Sequence, residues 1–264
     1  MGSATRAALT LARNELASTS AKDGLIVGGQ LFDAGRTIGD SAALRSALAD
    51  PAAAANAKTA LVGTLFKSLG APARSILSTV VAARWSSQDD LLAGIEELGI
   101  RLIARSAGAS TSIEDELFAF GAAVTSDAEL ELAVGSKLGT SQAKATLVTA
   151  LLGRRASEHT IAIVRQLVQQ PRGRRIAELL RSAAATVADE SNLAIATVIS
   201  ASPLNAAQVK RLSESLAAKY GRGIQLNHVV DPTIIGGVRV QIGDDVIDGT
   251  VSTRLTQLRL QLAG

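Results

Sequence analysis

Few residues in this chain have the types and spacing that chemistry needs. There are two histidines, His159 and His228, and no cysteine. Neither histidine has a spaced second histidine or a thiol, so a zinc site is not expected. No serine, histidine and acid occur in an order that includes a nucleophile elbow. His228 falls in a strand-like alternation and reads as a strand residue. His159 sits beside Glu158 at a helix start and reads as solvated. Asp244, Asp245 and Asp248 could suggest a cation site, but they lack the ligand series and closing glutamate of an EF-hand loop. They read instead as turn and cap residues. Gly63-Thr-Leu-Phe-Lys-Ser68 faintly resembles a phosphate loop. It lacks the second glycine before the lysine and lies within a helical pattern. Arg154-Arg155 and Arg172-Gly-Arg174-Arg175 are basic clusters without interleaved aromatics, which is weak evidence for nucleic acid. No catalytic, cofactor-binding or metal-binding residue is therefore nominated.

The bulk properties agree. The 264 residues suffice for one large domain or two to three small ones, and carry 27 basic against 24 acidic side chains. That near balance gives no strong case for a nucleic-acid partner. Aromatics make up 2% of the chain, so its cores must be built from Leu, Ile, Val and Ala. Alanine and leucine have the highest helix propensities, which favours a mainly helical fold. Without cysteine, disulfides are excluded. No apolar run reaches the length that spans a bilayer, and no signal-peptide pattern opens the chain. Met1-Gly2-Ser3 reads as an expression scar, with the natural N-terminus expected further upstream.

The C-terminal quarter has the clearest order of elements. Leu193 to Ser200 reads as a strand. Asn205 and Gln208 have capping-box spacing, and Val209, Leu212 and Leu216 give the following helix a buried stripe. Gly221 is a natural helix stop. Ile224, Leu226, His228 and Val230 alternate with Gln225, Asn227 and Val229, as in a half-buried strand. Asp231-Pro232 breaks that run, because proline lacks a ladder donor. Gly236-Gly237 permits backbone angles or a close approach that a side chain would block. Val238, Val240 and Ile242 then alternate with Arg239 and Gln241. Gly243-Asp244-Asp245 marks a turn, and Val246-Ile247 starts a return strand. Asp248-Gly249-Thr250 stops it and can cap a helix whose apolar stripe is Val251, Leu255, Leu258 and Leu262.

This segment resembles the C-terminal signature of the δ subunit of F-type ATP synthases, the family of the mitochondrial oligomycin-sensitivity-conferral protein. Asp231, Ile234, Ile235, Gly236, Gly237, Gly243, Asp244, Ile247, Asp248 and Gly249 stand where the family pattern expects them. A plainer reading, a generic α+β domain with a Gly-rich hairpin, uses the same residues.

Upstream, residues 21–106 and 107–192 look like two copies of one helical module at an offset of about 86. Ala57-Lys58-x-x-Leu61-Val62-x-x-Leu65 matches Ala143-Lys144-x-x-Leu147-Val148-x-x-Leu151, and Leu31-Phe32 matches Leu117-Phe118. The expected layout is an N-terminal helix or linker at 1–20, helical module 1 at 21–106, helical module 2 at 107–192, and a small α+β domain with a β-hairpin at 193–264. The fold class is mainly α, two tandem helical bundles plus that domain. Ordinary family members have one bundle, so module 1 looks like an extra copy. Residues 4–20 read either as a helix packed on module 1 or as the end of a longer stalk helix, fused upstream.

The resemblance implies a peripheral-stalk, or stator, subunit that makes no bonds itself. It joins the α3β3 catalytic head to the b-type stalk and resists rotor torque during proton-driven ATP synthesis. It implies two partner contacts: the N-terminal helix of an α subunit on the bundle, and the b-type stalk on the C-terminal domain. It implies no cofactor, no nucleic acid and no membrane insertion, at the cytoplasmic face of the bacterial plasma membrane. By the same resemblance, the partner groove on the second bundle lies between its first and fifth helices. Its expected residues are Leu91, Ile95, Leu98 and Leu102, with Ile161, Ile163, Val164, Leu167 and Val168. Two other readings stay open: a helical-repeat adaptor for another partner helix, and an enzyme using the hairpin carboxylates. The role of the extra module is open too.

Overall fold

A computed structural model describes residues 2–108, 111–135, 139–243, 245–253 and 255. The chain forms two compact units, Met1–Val187 and Ala188–Gly264. No helix among the described residues is long and apolar enough to cross a membrane. The fold is mainly α with a small α+β part, as the composition and periodicity suggest.

Among the described residues the first unit contains helices and no strand. The helices are α1 (Ser3–Glu15), α2 (Gly24–Asp40), α3 (Ala42–Ala49), α4 (Ala55–Leu65), α5 (Ala71–Ala82), α6 (Gln88–Ser106), α7 (Ile113–Ser126), α8 (Ala128–Gly135), α9 (Ser141–Leu152), α10 (Glu158–Gln169) and α11 (Ile176–Glu190), the last of which runs on into the second unit. Serine and threonine caps start several of them. Ser41, Ser87, Ser112, Thr140 and Ser157 each accept a backbone N–H from the first turn, satisfying a donor that the helix leaves orphaned. The helices recur along the chain: α3 and α8 span 42–49 and 128–135, and α2 and α7 end at 40 and 126, a constant spacing of about 86. Burial recurs in a wider frame. Thr5, Ala8, Leu9, Ala12 and Leu16 are buried beside the core in the N-terminal segment, and Leu91, Gly94, Ile95, Leu98 and Leu102 are buried in α6 at the same spacing.

α6 is the central helix of this unit. Ten consecutive positions, Gly94 to Ile103, include only one, Glu97, that is not fully buried. An amphipathic surface helix would bury one stripe, so α6 must be enclosed on almost every side. Glycine makes this possible. A Cβ on Gly28 of α2 would stand 2.7 Å from the Gly99 carbonyl oxygen of α6, and one on Gly24 would stand 2.2 Å from that of Leu102. On α6 itself, a Cβ at Gly99 would strike the Phe32 ring at 2.4 Å and one at Gly94 the Trp85 ring at 2.2 Å. The hydrophobic core continues through Leu31, Ile38, Leu48, Val62, Ile76, Leu77 and Val80 to Leu91 and Leu98. α1 lies on this core through Ala8, Leu9 and Ala12, and Leu16 just after it joins them, while Leu11 stays exposed.

The second unit holds β1 (Leu193–Ser200), α12 (Ala206–Tyr220), β2 (Gly223–Val230), β3 (Val238–Ile242) and β4 (Asp245–Asp248). The strand order is β2-β1-β3-β4. β1 and β2 run parallel, with Val198 opposite His228, and α12 is the crossover that a parallel pair requires. β3 is antiparallel to β1, with Val240 opposite Val198, and returns through β4 as a hairpin. The Asn205–Gln208 capping box is complete in both directions, and Gly221 ends α12 at φ 69°. Along β2 the alternation is broken: Asn227 is buried, while Val229 and Val230 are exposed. Leu258 and Leu262 of the terminal stripe lie outside the described residues; Val251 and Leu255 are exposed.

The glycine contacts make opposite predictions for neighbouring positions of α2. Gly28→Ala must push the two helices apart and should cost about 1–3 kcal/mol. At Gly29 a Cβ has open space, so Gly29→Ala should gain about 0.5–1 kcal/mol from helix propensity. Urea unfolding of the two variants checks this; equal effects would contradict the close approach.

Candidate functional site

Asp231, Gly236, Gly237, Asp248 and Gly249 meet at one end of the sheet, where β1, β2 and β4 finish, while Gly243 lies at the other end. Asp231 donates its N–H to the Ser200 carbonyl at 2.9 Å. Its Oδ1 accepts the Thr233 N–H at 2.9 Å and the Thr233 hydroxyl at 2.7 Å. Those two donors, the hydroxyl first, hold the Asp231 carboxyl below its usual value. Gly236 and Gly237 have φ of 76° and 86°, a region that side chains disfavour. A Cβ at Gly237 would also sit 2.5 Å from the Gly249 carbonyl oxygen. The reason is a stitch between distant segments: Gly249 N–H donates to Val238 at 3.0 Å, and Val251 N–H to Gly236 at 3.2 Å. Asp248 accepts the Thr250 N–H at 2.9 Å. That bond is the main cause holding the Asp248 carboxyl below its ordinary value, with further hydrogen bonds and Arg239 acting the same way. The Thr250 hydroxyl accepts the Thr253 N–H at 3.4 Å and so caps the turn at 251–253. Gly243 turns the β3–β4 hairpin at φ 57°. Asp244 lies outside the described residues.

The polar residues weighed in the sequence have structural partners. Asp248 is a cap, and Asp245 accepts from the Tyr220 hydroxyl at 3.3 Å. Among the described residues no group of three or more His, Cys, Asp or Glu could hold a metal. His228 has a specific partner that its spacing did not reveal. Ser200 Oγ donates to the Ser202 carbonyl at 2.7 Å, so the 2.6 Å contact with His228 Nε2 makes the imidazole the donor. Gly63, Thr64 and Leu65 end α4 rather than opening a helix, which is the wrong end for phosphate. Arg172 and Arg174 do not form a solvated face: both pair with the buried Glu96 of α6.

What this end of the unit does present is apolar surface. Ile234 is half-buried, but its neighbour Ile235 is 75% exposed. Val229, Val230, Val251 and Leu255 are exposed as well, and Val246 is exposed on the edge strand β4. Strand alternation and helical spacing place Val230 and Val251 on apolar stripes, yet both are exposed.

In the helical unit the expected groove residues are not gathered in one open groove. Leu91, Ile95, Leu98 and Leu102 are fully buried and belong to the core that includes α1, α2 and α5. Ile163, Val164, Leu167 and Val168 of α10 are buried too, outside that cluster. Ile161 alone of the set is half-buried. Beside it on α10 is Ala162, and on α6 the half-exposed positions Ala93, Glu97 and Ala104 share one helix face.

The sequence profile of the ATP synthase delta (OSCP) subunit family matches residues 100–262, beginning inside α6. A protein named ATP synthase subunit delta from Leifsonia xyli subsp. xyli is 56% identical over 264 residues, covering all of both chains. Its namesake from Streptomyces avermitilis is 41% identical, over 83% of this chain and 82% of its own. The one from Thermobifida fusca is 37% identical over 90% of each. A chain in the cryo-EM structure of the Toxoplasma gondii mitochondrial ATP synthase hexamer is 21% identical and covers 64% of this chain and 96% of that one. Its TM-score of 0.42 is too low to argue from. The chain belongs to the ATP synthase delta (OSCP) subunit family.

The capped aspartates set an acid limit. A carboxyl whose folded value is depressed contributes stability above its unfolded value and loses it as pH falls through the folded one. For Asp231 and Asp248 that loss begins below the usual carboxylate range of about pH 4. Asp248→Asn keeps the acceptor but not the titration. Its melting temperature should therefore fall less than wild type between about pH 5 and 2. Identical acid slopes would contradict the capping role.

Proposed function

We propose that this member of the ATP synthase delta family acts as a non-catalytic joint of the peripheral stalk of an F-type ATP synthase. It holds the catalytic head still against rotor torque. In this reading residues 21–106 are an additional helical copy, 107–192 its counterpart, and 193–264 the stalk-facing domain. The chain works at the cytoplasmic face of the bacterial plasma membrane as a peripheral part of the complex. The family match and full-length similarity to delta subunits support this.

The observation that carries the reading at residue level is an exposed aliphatic pair of the second unit. Ile235 and Val251 stand out on a backbone joined by the Val251 N–H to Gly236 hydrogen bond, and Val229, Val230 and Leu255 add further exposed apolar side chains. Exposed apolar clusters of this kind mark partner surfaces, and an amphipathic helix of the b-type stalk has the matching chemistry. The N-terminal helix of an α subunit is the partner of the helical unit. Its contact falls to the half-exposed edges of α6 and α10: Ala93, Glu97 and Ala104, with Ile161 and Ala162. The buried residues Leu91, Ile95, Leu98, Leu102, Val164, Leu167 and Val168 hold the core behind that surface.

Calorimetric titrations with two peptides test this, one from the α-subunit N-terminus and one from the membrane-distal end of the b-type stalk. Ile235→Asp with Val251→Asp should weaken the stalk peptide about tenfold or more and leave the α peptide unchanged. Ile161→Asp should do the reverse. Wild-type affinity for both peptides in all variants would remove these surfaces from the joint.

A further inference from the structure

The turn between α10 and α11 is under backbone strain. Among the described residues only Arg172 and Asn192 have positive φ without being glycine. Asparagine tolerates that region, because its short side chain bonds locally. Arg172, at φ 49°, has no such excuse, and Gly173 follows at 77°. Such a conformation persists only where its surroundings over-determine it.

The surroundings are supplied by α6 and α2. Glu96 Oε1 accepts from Arg172 Nη2 at 2.8 Å and from Arg174 Nη2 at 2.9 Å, and its Oε2 accepts again from Arg174 at 3.1 Å. The carboxylate is 6% exposed and meets partners 76 and 78 residues away in sequence. Beside it, Gln170 Nε2 donates to the Gly35 carbonyl at 3.1 Å, Gln166 donates to Gln170 at 3.1 Å, and Arg36 donates to Gln166 at 2.5 Å. Arg172 Nη1 is buried without a hydrogen-bond partner, so the guanidinium depends on Glu96. Burial pushes the Arg172 guanidinium down, and Glu96 is the main group pulling it back.

We infer that Glu96 is a latch, a positioning residue that closes the strained Pro171–Arg175 turn onto α6 and so sets where α11 begins. One carboxylate serves two guanidinia. Without it a buried charge is left unpaired, a state proteins avoid. The turn then relaxes out of the left-handed region and the first turn of α11, starting at Ile176, loses its anchor. Nothing in the partner assignment is needed for this.

Hydrogen exchange of the full chain tests it. Glu96→Gln should speed exchange over residues 171–180 about tenfold or more, with less than a twofold change over α2. Glu97→Gln is the control: the adjacent residue on the same helix, paired instead with Arg13 and Arg101, should leave 171–180 at the wild-type rate. A second pair holds even if Glu96→Gln does not fold. Arg172→Gly and Arg172→Ala both lose the ion pair, but only glycine relieves the positive φ, so the glycine variant should melt higher. A uniform rise in exchange, wild-type exchange at 171–180, or equal melting of the Arg172 pair would each overturn the latch.

Discussion

Where α2 crosses α6, backbone lies against backbone. Gly28 faces the Gly99 carbonyl and Gly24 that of Leu102, with no room for a methyl group on either. Interiors pack at crystal-like density, so an approach this close must be fixed before anything else can be. The only tryptophan and one of the four phenylalanines are then seated on the glycines of α6. With so few aromatics, the core gains its density from closeness rather than from side-chain bulk. α6 becomes a strut enclosed by α1, α2 and α5, with Glu96 held by the α10–α11 turn.

That enclosure decides what the helix can offer a partner. A helix buried on nearly all sides has little apolar surface left, and what it exposes is limited to edges such as Ala93 and Ala104. The second unit solves the problem differently. Its sheet end is closed by backbone hydrogen bonds through Gly236 and Gly249 and by two capping aspartates. Because the backbone polar groups satisfy one another, aliphatic side chains can stand outward there without leaving buried donors unpaired. A joint loaded in every rotary step is served by such pre-organised surfaces, since little ordering entropy is lost on binding.

Much of this was legible because local rules and tertiary structure agree. The Asn205–Gln208 spacing is a capping box, Gly221 stops α12 in the left-handed region, and Val240 and Ile242 face inward as their alternation requires. What periodicity missed shares one physical cause: it assigns one apolar face per element. α6 buries Glu96, Gly99 and Arg101 as well as its leucines, and the partners of Glu96 lie too far along the chain for any window to join them. On β2 the polar Asn227 goes in and the apolar Val229 and Val230 stay out. Of the adjacent family-pattern residues Ile234 and Ile235, the first is half-buried and the second exposed. These departures fall on the exposed apolar side chains near the sheet end and on the strained turn, where local rules are expected to yield.

The central claim is mechanical joining without chemistry, and co-sedimentation with the catalytic head of the cognate ATP synthase tests it most directly. The purified chain should sediment with intact heads, fail to do so once the N-terminal segments of the α subunits have been clipped, and leave the ATP hydrolysis rate of the heads unchanged. Binding that survives clipping, or a head whose hydrolysis depends on the chain, would contradict the account.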